Sequence, residues 1–267
     1  MSAELVTIVT AFIDIGRGDW EGVKNDKPIP HYIKRDTDTY FERFERLTKL
    51  KNPIVCYTES RFFDRIKAMR DDIKLVSIDN VFVNNSLIID AIKKVQQNPD
   101  FIKFVTNPSN PEYWSPEYVA INLFKSVFVT DAIDDKLIDT ETCAWIDFGY
   151  CRPEVYCPPG MEWKFDADNT INLFCMNSNV YDKPIFEIVK TNEVYMQGCH
   201  IVAPKSLWFK LRMLINSSLS NLFNVGLVDD DQTLLLMAYR AAPQLFKLNK
   251  ADPNDWFIIF RDYNHGN

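Results

Sequence analysis

In the first 150 residues of the chain, segments with the apolar pattern of buried strands alternate with segments that have the apolar spacing of helices. Short, continuous apolar runs rich in β-branched side chains are typical of buried strands in a parallel sheet. These runs cover residues 5–13, 53–58, 73–78 and 142–147. The segments between them have the composition and the apolar spacing of helices. These helical segments cover residues 36–50, 59–70, 86–97 and 115–132.

The order of these elements predicts a parallel sheet with right-handed crossovers. Ser115 and Pro116 mark a helix start, because Ser is a favoured N-cap and Pro a favoured first residue. After residue 160 the apolar runs are shorter, at 171–175, 185–189 and 194–202, and helices follow near 206–223 and 230–241. We expect one α/β domain over residues 1–267, in which residues 1–150 form a nucleotide-type half and residues 151–267 an acceptor-side half.

Composition supports a compact protein and narrows the class of partner. Of the 267 residues, 46% are apolar and 13% aromatic, which is enough for a large core. The net charge of −7 argues against general nucleic-acid binding, which needs clustered Lys and Arg. The six cysteines form no Cys-x-x-Cys pair, which indicates buried thiols in a reducing compartment. Without a secretory leader pattern or a membrane-length apolar run, we expect a cytoplasmic protein.

The last apolar run of the first half ends on a single carboxylate, Asp147, which is followed by Phe148 and Gly149. Ligands of open α/β sheets bind beyond the carboxyl ends of the strands, so an acid there meets substrate or metal. Alternatively, Asp147 opens a turn in which Gly149 supplies a positive φ angle. Both interpretations stay open from these residues alone.

The loop after the first strand contains Asp14, Arg17 and Trp20, at the place where doubly wound folds take a nucleotide. It has no Gly-x-Gly-x-x-Gly sequence, so a dinucleotide fingerprint is absent. This pattern leaves a mononucleotide or a sugar nucleotide as the ligand class.

On the helix that begins at Ser115, the side chains of Tyr118, Asn122 and Lys125 share one face. Lys125 precedes the strand that ends at Asp147, so its ammonium group is a candidate for contact with a diphosphate. The ordinary alternative is a solvated lysine on the helix surface.

Near the C-terminus, Asp229, Asp230 and Asp231 precede Gln232 and an apolar helical run. Acids at this position are favoured by the helix dipole, which is a purely structural explanation. A carboxylate held at a helix start beside a pocket also suits a general base that deprotonates a sugar hydroxyl. Different members of the trio can serve each purpose.

Three further residues are candidates with ordinary alternatives. Gly198 interrupts an apolar run, where a glycine often lets a ligand approach the backbone. His200 alternates with buried positions, which also fits a histidine of the core. His265 lies near the end of the chain and is a candidate metal ligand, although a frayed tail is the usual state of such a position.

The residues of the first strand and its loop (7–17), Trp20, and the segments 51–59 and 145–149 resemble, in this order, the HtrL/YibB family. The WlaTC-like proteins of surface-polysaccharide loci also belong to that family. The resemblance covers nearly the whole chain and implies a GT-A-like fold. It further implies an inverting glycosyltransferase that moves a hexose, galactose favoured, from a UDP-sugar to a saccharide or lipid-linked acceptor in lipopolysaccharide or O-antigen assembly.

The resemblance also implies roles for particular side chains. The residues expected to bind the donor are Thr10, Ala11, Phe12, Asp14, Arg17, Lys125, Asp147 and Gly149. The residues expected to line the sugar or acceptor site are Gly198, His200 and Gln232. Asp230 or Asp231 is the expected catalytic base.

The chain departs from the usual GT-A pattern at the expected metal site. GT-A enzymes usually present Asp-x-Asp at this strand end, whereas here a glycine replaces the second Asp. Asp147, diphosphate oxygens, water and His265 are the candidate ligands for Mn²⁺ or Mg²⁺. Alternatively, Arg17, Lys125 or Arg152 neutralises the leaving UDP without a metal.

Two other functions stay open from the sequence. The chain could be a nucleotide-sugar-binding or scaffold protein that has lost catalysis together with the second Asp, or a sugar-nucleotide hydrolase that needs no acceptor. The segment 205–212 mixes basic and aromatic residues. It suits either peripheral contact with the inner face of a membrane or an ordinary amphipathic core helix.

Overall fold

The computed structural model describes residues 4–153, 157–251 and 256–260. Within these ranges, the centre of the fold is a seven-stranded sheet. Its strands are β1 (Thr7–Phe12), β2 (Ile54–Thr58), β3 (Lys74–Ser77), β4 (Thr142–Ile146), β5 (Ile171–Cys175), β6 (His200–Pro204) and β7 (Phe246–Lys250). They are arranged in the order β7-β5-β6-β4-β1-β2-β3. Strand β6 is antiparallel to its neighbours β4 and β5, and the other neighbouring pairs are parallel.

Helices cover both faces of this sheet. In the described part of the chain they are α1 (Thr37–Leu47), α2 (Phe63–Met69), α3 (Val81–Asn84), α4 (Ser86–Gln96), α5 (Pro99–Phe104), α6 (Pro116–Asp134), α7 (Ile185–Thr191), α8 (Lys205–Asn224) and α9 (Asp231–Ala241). Two small antiparallel pairs lie outside the central sheet. They join Glu4–Leu5 to Lys164–Phe165, and Val23–Lys24 to Lys27–Pro28.

Successive side chains of a strand point to opposite faces of a sheet. The hydrophobic core therefore consists of two layers, one on each face of the sheet. Val9 and Trp145 pack on the face covered by α4, α6, α8 and α9. Ile8 and Ile146 pack on the opposite face, against α1. Both faces of the sheet are therefore buried, which explains why its strands appear in the sequence as continuous apolar runs.

Helix α6 lies at the centre of the first layer and has buried residues around its whole circumference. Its start follows the sequence prediction, since the Ser115 hydroxyl accepts a hydrogen bond from the Tyr118 N–H and Pro116 is the first helical residue. A helix that is apolar on all sides is enclosed by its neighbours. The elements that surround α6 therefore hold its polar side chains in place.

The predicted α/β class, with a mixed but mainly parallel sheet flanked by helices, is confirmed. Two details differ from the sequence pattern. The apolar run at 185–189 belongs to helix α7 rather than to a strand, and it follows Pro184 at the N-cap. The edge strand β7 was not predicted, because its Lys247 and Lys250 leave little apolar signal. A search of the described helices finds none long and apolar enough to span a bilayer.

Candidate functional site

A cavity of about 570 Å³ opens where β1 and β4 end at one edge of the sheet. The chain beyond β1 contributes Asp14 and Arg17 to its wall, and the chain beyond β4 contributes Asp147. Strand β6 is antiparallel, so its beginning reaches the same edge and adds Cys199. The carboxyl edge of a parallel sheet is the usual ligand site in this class of fold.

The floor of the cavity contains a buried ammonium group shared by two carboxylates. Lys125 Nζ lies 3.0 Å from Asp147 Oδ1 and 2.8 Å from Asp231 Oδ2. It also donates a hydrogen bond of 2.9 Å to the carbonyl oxygen of Gly198. Three separate elements, α6, β4 and α9, therefore meet at one cation. The alternative of a solvated helical lysine is wrong, because Lys125 is only 4% exposed.

The charges of the two carboxylates stabilise the ammonium form of Lys125 by more than burial destabilises it. Burial alone would lower the pKa of Lys125, but the charges of Asp147 and Asp231 raise it above its ordinary value. Lys125 is therefore a permanent cation at neutral pH. Because its charge is already matched by two carboxylates, it is less available to a diphosphate than the sequence suggests.

Asp147 is the member of this group that faces the cavity. Its Oδ1 accepts a 2.7 Å hydrogen bond from Trp145 Nε1 besides the contact with Lys125, while 37% of its side chain is exposed. The Asp147 carbonyl accepts a hydrogen bond from the Tyr150 N–H, so the residue also opens a turn. Asp147 therefore lies at the cavity and also opens a turn.

Gly149 has a different role in this turn from the predicted one. Its φ is not positive, so the expectation of a left-handed glycine is wrong. A Cβ atom at this position would lie 2.8 Å from Cδ1 of Tyr40 and 3.0 Å from its Cε1. The close approach of the Tyr40 ring excludes a side chain here, and with it the second acid of an Asp-x-Asp motif.

Restoring that acid with Gly149→Asp should lower the free energy of unfolding by about 1–3 kcal/mol, since the Tyr40 ring must move to admit a side chain. Urea unfolding measures this change. The same substitution in a Tyr40→Ala background should cost much less. Equal costs in the two backgrounds would contradict Tyr40 as the reason for the glycine.

The acidic trio at the start of α9 is buried. Asp230 is the N-cap, and its Oδ1 accepts a hydrogen bond from the Gln232 N–H at 3.0 Å. Asp229 accepts hydrogen bonds from the Asp230 N–H and from the Thr233 hydroxyl. Burial raises the pKa of all three carboxyls, that of Asp229 to about 7. Neither Asp230 nor Asp231 is among the described residues that line the cavity, so their placement does not favour direct proton abstraction there.

Of the predicted sugar-site residues, Gln232 lines the cavity. Gly198 lies behind the wall, and the space that its side chain would fill is occupied by the carboxylate of Asp231 rather than by a ligand. His200 is fully buried against the rings of Tyr150 and Phe174 and is not among the described residues that line the cavity. Burial lowers the pKa of His200 to about 3, so its ring is neutral, as expected for a core histidine.

The predicted donor residues of the first strand separate into two groups. Ala11, Phe12 and Asp14 line the cavity, whereas Thr10 is buried in the sheet. The Asp14 carboxylate accepts hydrogen bonds from the Gly16 N–H and the Thr37 hydroxyl, which fix the loop.

Arg17 also lines the cavity, and its guanidinium group is held by protein contacts. It donates to Tyr40 Oη at 2.7 Å and to the Ile33 carbonyl oxygen at 2.8 Å and 3.2 Å. The rings of Trp20, Tyr40 and Tyr118 surround it, with centroids 5.3–5.9 Å from its Cζ atom. In the described part of the chain, no carboxylate forms a salt bridge with Arg17. Its positive charge is consequently available to an anion.

Sequence reasoning missed Glu112, which also lines the cavity and is 7% exposed. The residue lies in a short 3-10 helix, Pro111–Tyr113, directly before the Ser115 cap of α6. The only signal for it in the sequence is this position between a proline-rich loop and a helix start. Nothing in that pattern shows that the carboxyl group turns inward.

The described residues do not form a metal site on their own, and they contain no cluster of three or more ligating side chains suited to a metal. Asp147 Oδ1 is engaged by an ammonium group and an indole N–H, which leaves one oxygen of this side chain. His265, the other predicted ligand, lies outside the described residues. Mg²⁺ is commonly held by one or two carboxylates together with water and substrate phosphates, so Asp147 remains a candidate ligand for Mn²⁺ or Mg²⁺, and we assign no step of the chemistry to a metal.

Comparisons with known proteins agree on one family. The model of a family described as "bacterial protein of unknown function (HtrL_YibB)" matches residues 4–265. Protein HtrL of Escherichia coli (strain K12) is 35% identical over 267 residues, which cover 96% of this chain and 91% of that protein. A match of this length and identity extends through the cavity, the buried cation centre and both layers of the core. The chain therefore belongs to the HtrL/YibB family.

Proposed function

We propose that this chain is a glycosyltransferase that moves a hexose, galactose favoured, from a UDP-sugar to a saccharide acceptor. The observation that carries the proposal is the cavity at the carboxyl edge. Its lining combines Arg17, which forms no salt bridge with a described carboxylate, the partly exposed Asp147 carboxylate and several aromatic rings. Its volume of about 570 Å³ lies within the range of about 300–1,000 Å³ typical of small-molecule sites.

Each part of a nucleotide sugar has a chemically suitable partner in this cavity. The ring of Tyr32, which lines the cavity and is largely exposed, offers a face on which a uracil base can stack. Arg17 supplies the positive charge that stabilises a diphosphate as it leaves. Asp147 and Gln232 offer hydrogen-bonding groups for sugar hydroxyls. The acceptor class, a surface-polysaccharide precursor, rests on the resemblance to the proteins of such loci.

The buried ion-pair centre in the floor of the cavity supports this arrangement. Lys125 ties the strand end that carries Asp147 to the start of α9, from which Gln232 extends. Asp231 thus acts as a positioning residue for Lys125 rather than as a group in the cavity. Such a rigid support keeps ligand-binding side chains in their productive geometry.

Calorimetry with uridine, UDP, UDP-galactose and UDP-glucose, each with and without Mn²⁺, tests the binding part of the proposal. Release of UDP in the presence and absence of saccharide acceptors then tests transfer. Release that needs an acceptor supports a transferase, while equal release without one indicates a hydrolase. Tight binding without release would indicate a nucleotide-sugar-binding protein, and no binding of any nucleotide would overturn the proposal.

Arg17→Gln should weaken the binding of UDP about 10–100-fold and leave that of uridine nearly unchanged. The reason is the loss of charge-assisted hydrogen bonds to the diphosphate, each worth about 1.5–3 kcal/mol. Arg65→Gln is the matched control, because Arg65 pairs with Asp38 at 2.8 Å and does not line the described cavity. An equal loss of affinity for uridine and UDP would show that Arg17 serves the fold and not the phosphates.

A further inference from the structure

Glu112 lines the cavity, and one oxygen of its carboxyl group is buried without a hydrogen-bond partner among the described residues. This oxygen, Oε2, is inaccessible to solvent. The segment that carries it is fixed, because its backbone carbonyl accepts a 2.9 Å hydrogen bond from Gln96 Nε2 and the adjacent Tyr113 hydroxyl donates to the Val189 carbonyl at 2.7 Å. A buried carboxyl without a partner is costly to the fold, which points to a role in ligand binding or chemistry.

The other carboxyls of the cavity are already engaged. Asp14 accepts hydrogen bonds from the Gly16 N–H and the Thr37 hydroxyl, and Asp147 shares its Oδ1 with Lys125 and Trp145. Asp230 and Asp231 lie outside the described lining. Of these carboxyl groups, Glu112 is therefore the one most available to accept a proton.

The charges around Glu112 favour its protonated form. Burial, and next the charge of Asp229, raise the pKa of Glu112 to about 8, against a smaller opposing effect of Arg17. The titratable and charged side chains that interact with it are Arg17, Tyr32, Tyr113, Tyr118, Asp229, Asp230 and Asp231. A carboxyl that gains and loses its proton near the working pH has the property required of a general base.

The surrounding cavity wall is suited to a neutral, hydroxylated ligand. Asn110 and Asn122 line the same cavity as Glu112, together with Gln232. Neutral amides both donate and accept hydrogen bonds, as sugar hydroxyls do.

We propose that Glu112 is the general base of the transfer reaction and takes the proton of the acceptor hydroxyl. The inference rests on the proposed function. As the acceptor oxygen forms a bond to the anomeric carbon of the hexose, the bond from that carbon to the diphosphate oxygen breaks. UDP leaves with the electron pair of that bond, and the hydroxyl proton moves to the Glu112 carboxylate.

Glu112→Gln tests this role in the full-length protein. We expect UDP release from UDP-galactose, with lactose as acceptor, to fall about 10²–10⁴-fold. Calorimetry should give a Kd for UDP within about threefold of the unmodified protein. The variant should fold and melt at the same or a higher temperature, because a neutral amide cannot acquire the charge that Asp229 and Asp231 would repel. Glu117→Gln, on the first turn of α6 and outside the described lining, is the matched control and should keep its activity.

The pH dependence provides a readout that a structural role would not change. In the unmodified protein and in the control, transfer should rise as the pH increases through about 8, where Glu112 loses its proton, and then level off. The residual activity of Glu112→Gln should lack this rise. Activity of the Gln variant within a few-fold of normal, or loss of UDP binding together with transfer, would overturn the proposed base. An unmodified protein that binds no UDP at all would instead refute the proposed function, and the inference with it.

Discussion

Replacing Lys125 with methionine should lower the free energy of unfolding by about 3–5 kcal/mol, the largest stability effect that we expect from a single side chain here. The substitution removes the cation and leaves the Asp147 and Asp231 carboxylates without their shared partner. Asp231 suffers most, since it is 4% exposed and burial already raises its pKa. The carbonyl oxygen of Gly198 also loses its donor.

Urea unfolding at pH 7 measures this change, and for a chain of this size the melting temperature should fall by roughly 6–20 °C. Lys34→Met is the matched control, because Lys34 pairs with Glu21 at 3.0 Å but on the protein surface. Surface pairs contribute about 0–1 kcal/mol, so this control should be nearly neutral. A loss of less than about 1 kcal/mol from Lys125→Met would contradict the buried cation as a structural centre.

The same experiment separates structure from ligand binding at Lys125. If the ammonium group mainly contacted a diphosphate, its loss would weaken UDP binding and leave stability nearly unchanged. The geometry instead predicts a large loss of stability, with any loss of affinity following from the displaced Asp147. The double variant Lys125→Met/Asp231→Asn should recover part of the stability, because it removes one of the two unmatched charges.

The sheet and its main helices were predictable because their signals are local. The β-branched run of β1, the continuous apolar run of β4 and the Ser115 cap each lie within a few residues of sequence. The position of Asp147 at the carboxyl edge also followed from the sequence, since a strand end and a parallel sheet suffice to place it. The missed strand β7 shows the limit, because Lys247, Asn249 and Lys250 leave it little apolar signal.

The candidate site was less predictable because its contacts join distant parts of the chain. Lys125 and Asp231 are more than a hundred residues apart, and no local pattern indicates that they meet. A side chain is excluded at position 149 by the ring of Tyr40 on helix α1. This long-range contact is equally invisible in the sequence. For Glu112, the inward direction of the carboxyl group depends on how the loop before α6 packs.

Gly198→Ala should also be strongly destabilising, at about 3 kcal/mol or more, although only one methyl group is added. The new Cβ atom would overlap both carboxylate oxygens of Asp231. That carboxylate has little freedom to move away, since it holds Lys125 and lies on the first turn of α9. The substitution therefore separates Asp231 from Lys125, an ion pair in which both side chains are buried.

Gly226→Ala provides the comparison, because Gly226 has a φ of 72° but no atom within 4 Å of an added Cβ. This substitution should lower the free energy of unfolding by about 1–2 kcal/mol, because only the left-handed conformation of the new alanine opposes it. Measuring Gly198→Ala also in an Asp231→Ala background isolates the overlap, since the added methyl then meets no carboxylate and should cost far less. Equal costs of Gly198→Ala in both backgrounds, or a cost no larger than that of Gly226→Ala, would mean that glycine at position 198 is needed for a reason other than its contact with Asp231.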